Sequence, residues 1–176
     1  LQMSVAEALA GVVGDNLPAD LADAVVATAF HVIRDQVDPE IFRGWGQLLV
    51  GQLPFVRTTP ETIKTIVEEL DRPDDPDKYR RELSQKLLAR IIGPLSVSSN
   101  PEFVLNFLLV RALALLNDEK VDVRCNVIES IGVIGSVVDS ETLEKSVWPG
   151  LLPLVSCNDP KLRAAVLRTI SRIAAA

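Results

Sequence analysis

The sequence predicts an all-α fold, a solenoid of stacked two-helix units. Three observations carry that prediction. The segment Val123-Arg124-Cys125-Asn126-Val127-Ile128-Glu129-Ser130-Ile131 can be laid over Leu162-Arg163-Ala164-Ala165-Val166-Leu167-Arg168-Thr169-Ile170, so that Val123 falls on Leu162. A large apolar residue followed by Arg opens further apolar-periodic stretches upstream, at Phe42-Arg43 and Tyr79-Arg80. Finally, 48% of residues are hydrophobic but only 5% aromatic, so the core is built from Leu, Val, Ile and Ala, which suits helix-on-helix packing.

The chain opens with a second-type helix, in which Leu1-Gln2 leads through Val5, Leu9, Val12 and Val13, with Gln at the Arg position. A first-type helix follows over Ala19 to Arg34, apolar at Leu21, Ala24, Val25, Ala29, Val32 and Ile33. The second-type helix at Phe42 runs through Trp45, Leu48 and Leu49. Pro60 to Leu70 carries Ile63, Ile66, Val67 and Leu70, and Thr59-Pro60 supplies an N-cap and an N1 proline. Tyr79 opens a helix through Leu83, Leu87, Leu88, Ile91 and Ile92. Asn100-Pro101 starts the stretch to Leu116, apolar nearly all round, so both flanks should be covered.

In the next helix Val123, Val127, Ile128, Ile131 and Ile134 form one stripe at i, i+4, i+5, i+8 and i+11. Leu143 to Val155 contains Pro149 and Pro153, each of which removes a backbone donor and should bend or end the helix. Leu162, Val166, Leu167, Ile170 and Ile173 repeat the stripe in the last helix. Second-type helices thus start near 1, 42, 79, 123 and 162, in uneven steps that average roughly 40 residues. No polar capping helix is evident at either end, so the 176 residues read as one solenoid and as part of a longer array.

A period near 40, with an Asp in the turn and an aliphatic-Arg pair in the following helix, resembles the HEAT repeat. The Asp residues Asp38, Asp75, Asp118 and Asp159 shortly precede Arg43, Arg80, Arg124 and Arg163. The stretch from Asp122 through Leu143, Ser146, Pro149, Leu151-Leu152, Asp159, Arg163 and Ala165 is similar to the scaffold subunit of protein phosphatase 2A and its relatives. The closer likeness covers the last third of the chain, and the general repeat pattern nearly all of it. The resemblance implies a right-handed superhelical α-α solenoid of about four and a half HEAT-like repeats. It also implies within-repeat turns that grip a Ser/Thr phosphatase catalytic or regulatory subunit.

Those turns are Gln36 to Glu40, Leu70 to Lys78, Asn117 to Asp122 and Asn158 to Lys161. Arg72, Asp74, Glu119, Lys120 and Lys161 are the expected partner-facing residues, because they are charged and fall off the apolar stripes. Trp148 is a further candidate, since tryptophan is enriched at binding hot spots. Trp45, between Gly44 and Gly46, fits a core position at a close helix crossing or a backbone approach to a partner. The four Asp–Arg sets read better as a structural ladder of charge-assisted hydrogen bonds than as ion sites. The run Glu68 to Glu82 holds seven acidic and four basic residues and forms a solvated linker or, on the sharper reading, a charged contact loop.

Other chemistries find no support. His31 stands alone, so no His-pair or His-triad metal site exists in this chain, and it reads as packing or surface. Cys125 and Cys157 form no CxxC; Cys125 reads as a small core residue and Cys157 as part of a turn. Gly11 and Gly14 are not followed by Gly-Lys-Ser/Thr, so they make no phosphate loop. No signal peptide or membrane span is read, and a single possible disulfide points to a reducing compartment, cytoplasmic or also nuclear. A net charge of -6 disfavours nucleic acid. The expected function is a non-enzymatic protein-binding scaffold without cofactor. The alternative is an importin-like cargo adaptor, or another HEAT transport or cytoskeletal adaptor; the acidic turns count against tubulin binding.

Overall fold

The computed structural model describes residues 18–34, 36, 38–55, 59–72 and 74–176. The helix expected over Leu1 to Val13 lies outside them. Among the described residues the chain is helical, without strands, and none of its helices is long and apolar enough to cross a membrane. Two compact units divide it, residues 1–91 and 92–176, and the boundary falls inside one helix.

The first unit begins with α1, Ala19–Arg34, which packs on α2, Pro39–Gln52, and more lightly on α3, Pro60–Leu70. Asp38 caps α2 by accepting from the backbone N–H of Glu40 and Ile41 at 2.9 and 3.2 Å, with Pro39 at the first helical position. The helix therefore starts ahead of Phe42, at Pro39. Thr59 caps α3 as the sequence predicts, accepting from Thr62 N–H at 3.2 Å. In α1 the buried stripe is Ala22, Val26, Ala29 and Ile33, while Leu21 is exposed. This corrects the expected stripe through Leu21, Ala24 and Val25. Apolar residues stand on more than one face of α1, so its buried phase is set by packing on α2 rather than by the helix alone.

Trp45 is buried on α2, and its indole N–H has no hydrogen-bond partner among the described residues. A Cβ on the adjoining Gly46 would stand 3.2 Å from Leu87 Cδ1, so the glycine marks a helix contact. α4, Lys78–Val97, runs past Ile92 through Gly93 and Pro94. Pro94 removes one donor from the ladder, yet the last turn persists, with Leu95 and Ser96 buried.

The second unit holds two helical hairpins of matching construction. In the first, a helix over residues 101–115 (α5) starts at the Asn100 cap, which accepts from Phe103 N–H at 2.8 Å. A wide π turn occupies Val104–Leu109, and Val110–Leu115 completes the helix. α6 is Val121–Gly135. In the second, a helix over residues 140–156 (α7) starts at the Asp139 cap, has its π turn at Leu143–Val147, and ends in a 3-10 turn, Leu152–Ser156. α8 is Pro160–Ala174. The Asn100 cap thus recurs as Asp139, the π turn at Val104 as that at Leu143, and the helix start Val121 as Pro160. All three share the offset that sets Val123 on Leu162. Pro153 lies where α-helix gives way to 3-10, as expected, whereas the helix continues through Pro149 to Leu151.

α6 packs chiefly on α8 and also on α5. Val123, Val127, Ile128, Ile131 and Ile134 are all fully buried, each stabilising by about 1.5–3 kcal/mol relative to exposure. The close contacts between second helices repeat with the same offset, Gly93 and Ser130 recurring as Gly132 and Thr169. A Cβ on Gly93 would fall 2.8 Å from Ser130 Cα, and one on Gly132 would fall 3.2 Å from Thr169 Cγ2. Val110 departs from the expectation that both flanks of α5 are covered, because it is exposed.

Candidate functional site

The turn between α3 and α4 carries the densest charge, and local hydrogen bonds order it. Asp77 acts as the cap of α4, its carboxylate accepting from the N–H groups of Tyr79 and Arg80 at 2.9 and 3.1 Å. Asp75 accepts from Asp77 N–H at 2.9 Å and from Arg80 through both oxygens: Nε to Oδ2 at 2.6 Å and Nη2 to Oδ1 at 2.8 Å. The fork holds Arg80 against the turn, and Arg81 Nη1 donates to the Asp75 carbonyl at 3.4 Å. The Arg80 hydrogen bonds hold the Asp75 carboxyl below its usual range; partial burial opposes this, and the Asp77 N–H reinforces it. Gln85 Nε2 ties Asp71 to α4 at 3.1 Å.

Arg72, Asp74, Asp75, Pro76 and Arg80 line an open cleft of about 340 Å³. Arg72 and Asp74, both expected to face a partner, are exposed on its wall, and Arg72 pairs with Glu69. Of the lining residues among those described, Pro76 is the uncharged one. Small-molecule pockets are mostly apolar with a few polar groups.

Two turns belong to the second unit. Glu119 and Lys120 are exposed ahead of α6, where Lys120 N–H donates to Asp118 Oδ1 at 2.7 Å. Lys161 is exposed in the first turn of α8, beyond Asp159, whose carboxylate accepts from the N–H groups of Lys161 and Leu162 at 2.8 and 3.2 Å. The two turns are neighbours: the half-buried Cys125 thiol is pushed up first by burial and then by the charges of Asp159, Asp122 and Glu129, with Lys161 opposing. Trp148 is half-buried on α7. Cys157 is half-buried in the last turn, its thiol directed at the Asp159 carbonyl at 3.5 Å. His31 is exposed on α1, and no group of His, Cys, Asp or Glu among the described residues is placed to hold a metal ion.

Of the four Asp–Arg couples, the structure brings Asp75 and Arg80 together as an ion pair. Asp38, Asp118 and Asp159 turn their carboxylates to backbone N–H groups instead. Arg163 Nη1 donates to the Cys157 carbonyl at 2.7 Å, Arg124 buries its Nε without a hydrogen-bond partner among the described residues, and Arg43 is exposed. For Asp38 and Asp159 the physical reason is capping: the first N–H groups of a helix lack intrahelical partners, and an Asp just before the helix satisfies them at shorter range than a distant guanidinium, whereas Asp118 accepts from Lys120 N–H within the turn ahead of α6. Sequence reasoning missed Asp77 and Asp139 as caps, and it missed Pro76 in the cleft. Asp38-Pro39 and Asp159-Pro160 carry the same start signal as Thr59-Pro60.

Neither family models nor curated proteins give a match to this chain.

Proposed function

We propose that the chain is a non-enzymatic, protein-binding scaffold, a right-handed solenoid of HEAT-like units that holds a partner subunit through its within-repeat turns. The regular recurrence of caps, π turns and second helices supports the stacked-repeat reading. The observation that carries the binding reading is the ordered charged turn. Asp75, Asp77 and Arg80 fix its backbone, and Arg72 and Asp74 are left exposed on the wall of the cleft. Charged groups on a preorganised turn lose little entropy when a partner engages them.

The resemblance of residues 122–165 to the phosphatase 2A scaffold makes a Ser/Thr phosphatase catalytic subunit the first partner to test. A cytoplasmic setting suits the two free thiols, Cys125 and Cys157. The test is a calorimetric titration of the chain with that subunit at low and at physiological salt. Saturable binding that weakens with salt is the expected result. Absence of binding at both salts, with the chain folded by circular dichroism, rejects the phosphatase partner. Binding of Lys/Arg-rich peptides in its place moves the reading to a cargo adaptor.

A further inference from the structure

We propose that the outer face of α7 and α8, centred on Leu152 and Leu167, is a docking face for one further two-helix unit in the same repeat register. The face continues an interface already present inside the second unit. Ile128 on α6 is 0% exposed, whereas Leu167, its counterpart on α8, is 53% exposed. Leu113 on α5 lies against Gly150 of the following hairpin, where a Cβ would come within 3.0 Å of Leu113 Cδ2. Its counterpart Leu152 is 55% exposed. On α6, Gly132 and Gly135 admit Thr169 and Ile173 of α8. Their counterparts Ser171 and Ala174 are also small, and both are exposed.

Each of these positions, which meets the next hairpin in α5 and α6, thus recurs in α7 and α8 with matching size, but uncovered. The repeated geometry defines the occupant. It is a helical hairpin whose second helix sets a hydroxyl side chain over the Leu167 carbonyl, as Thr169 does over Ile128 at 3.1 Å. Its bulky aliphatic residue would fill the space beside Ala174, as Ile173 does beside Gly135. Large exposed aliphatic residues grouped on one face mark such interfaces. The turn contacts proposed for a partner subunit are not involved, and the test reads stability rather than partner binding.

The experiment extends the full chain at its C-terminus with a duplicate of residues 138–176 and introduces Leu167→Glu into the parent and the extended chains. The extended chain is expected to gain helix in proportion to its length and to melt in one transition above the parent. Leu167→Glu should leave the parent melting temperature nearly unchanged, because the residue is exposed there. In the extended chain it should lower the melting temperature by about 5 °C or more. An unfolded extension, or equal effects of Leu167→Glu in both chains, overturns the proposal. Concentration-dependent dimerisation of the parent that Leu167→Glu abolishes, read by sedimentation velocity, also overturns it and gives the face to a second copy.

Discussion

Thr169 Oγ1 donates a 3.1 Å hydrogen bond to the backbone carbonyl of Ile128, on the preceding second-type helix. Both residues are buried. Gly132 makes the approach possible, since it has no Cβ to meet the Thr169 side chain. Beside it on the surface, Arg168 Nη2 meets Glu129 Oε1 at 3.3 Å. A buried hydroxyl and an exposed ion pair therefore fix the register of α8 on α6. The hydroxyl is the stronger constraint, because the exposed pair is screened by water.

Thr169→Val keeps the shape of the side chain and removes its donor. The Ile128 carbonyl stays within its own helical ladder, so no acceptor is orphaned. The expected cost is about 1 kcal/mol of unfolding free energy, measured by urea denaturation. An unchanged midpoint would mean that the hydrogen bond contributes nothing net.

Two glycines should respond to alanine with opposite signs. At Gly93 the new methyl would stand 2.8 Å from Ser130 Cα and 3.1 Å from its carbonyl oxygen, backbone atoms that cannot rotate away. Gly93→Ala should destabilise by about 1–3 kcal/mol, more than the ~1 kcal/mol that alanine gains in helix propensity. Gly51 is exposed on α2, and beyond its chain neighbours and its own helix backbone no atom of the described residues lies within 4 Å of the added Cβ, so Gly51→Ala should stabilise by up to about 1 kcal/mol. Thermal melts of the two variants check both signs.

The Asp75–Arg80 fork gives stability an acid limb. The Asp75 carboxyl titrates below its ordinary value of 3.8 in the folded chain, so the unfolded chain binds its proton first as pH falls. Its contribution is complete above that ordinary value and is lost as pH drops through the lower, folded value. Asp139, held down by the Thr142 N–H and hydroxyl, acts in the same direction. Asp75→Asn should flatten the acid limb of a plot of urea midpoint against pH and lower the midpoint at neutral pH. A variant whose acid limb matches the parent's would contradict the linkage.

Reversing the charges of Arg72, Asp74, Glu119, Lys120 and Lys161 together should weaken partner binding by roughly tenfold or more. All five are exposed, so the cost to folding should be small. Calorimetric titration beside a circular dichroism melt separates the two effects. Unchanged affinity would remove the turns from the binding surface.

Some boundaries are legible in the sequence. Ala19–Arg34 and Pro60–Leu70 occur as expected, because caps, N1 proline and Gly- or Pro-free periodicity all act within one turn of the chain. Phe42, Tyr79, Val123 and Leu162 mark their helices slightly late, since the apolar stripe begins only after the helix has already started, at Pro39, Lys78, Val121 and Pro160. The charged turn at Arg72 and Asp74 is legible as an exposed loop. Its cleft is not, because the cleft depends on Asp75 and Arg80 folding back on one another.

The sequence by itself determined the helical class, the apolar stripes of α3 and α6 and the repeat offset that carries Val123 onto Leu162, since each follows from local periodicity and from self-similarity along the chain. The tertiary structure alone decided which face of α1 is buried, that Asp75 among the four turn aspartates pairs with its arginine, and that Leu167 is uncovered where Ile128 is enclosed. Those outcomes depend on which atoms arrive from elsewhere in the chain. A residue's identity fixes what it can bond to or bury, while its neighbours in space fix which of those possibilities is realised.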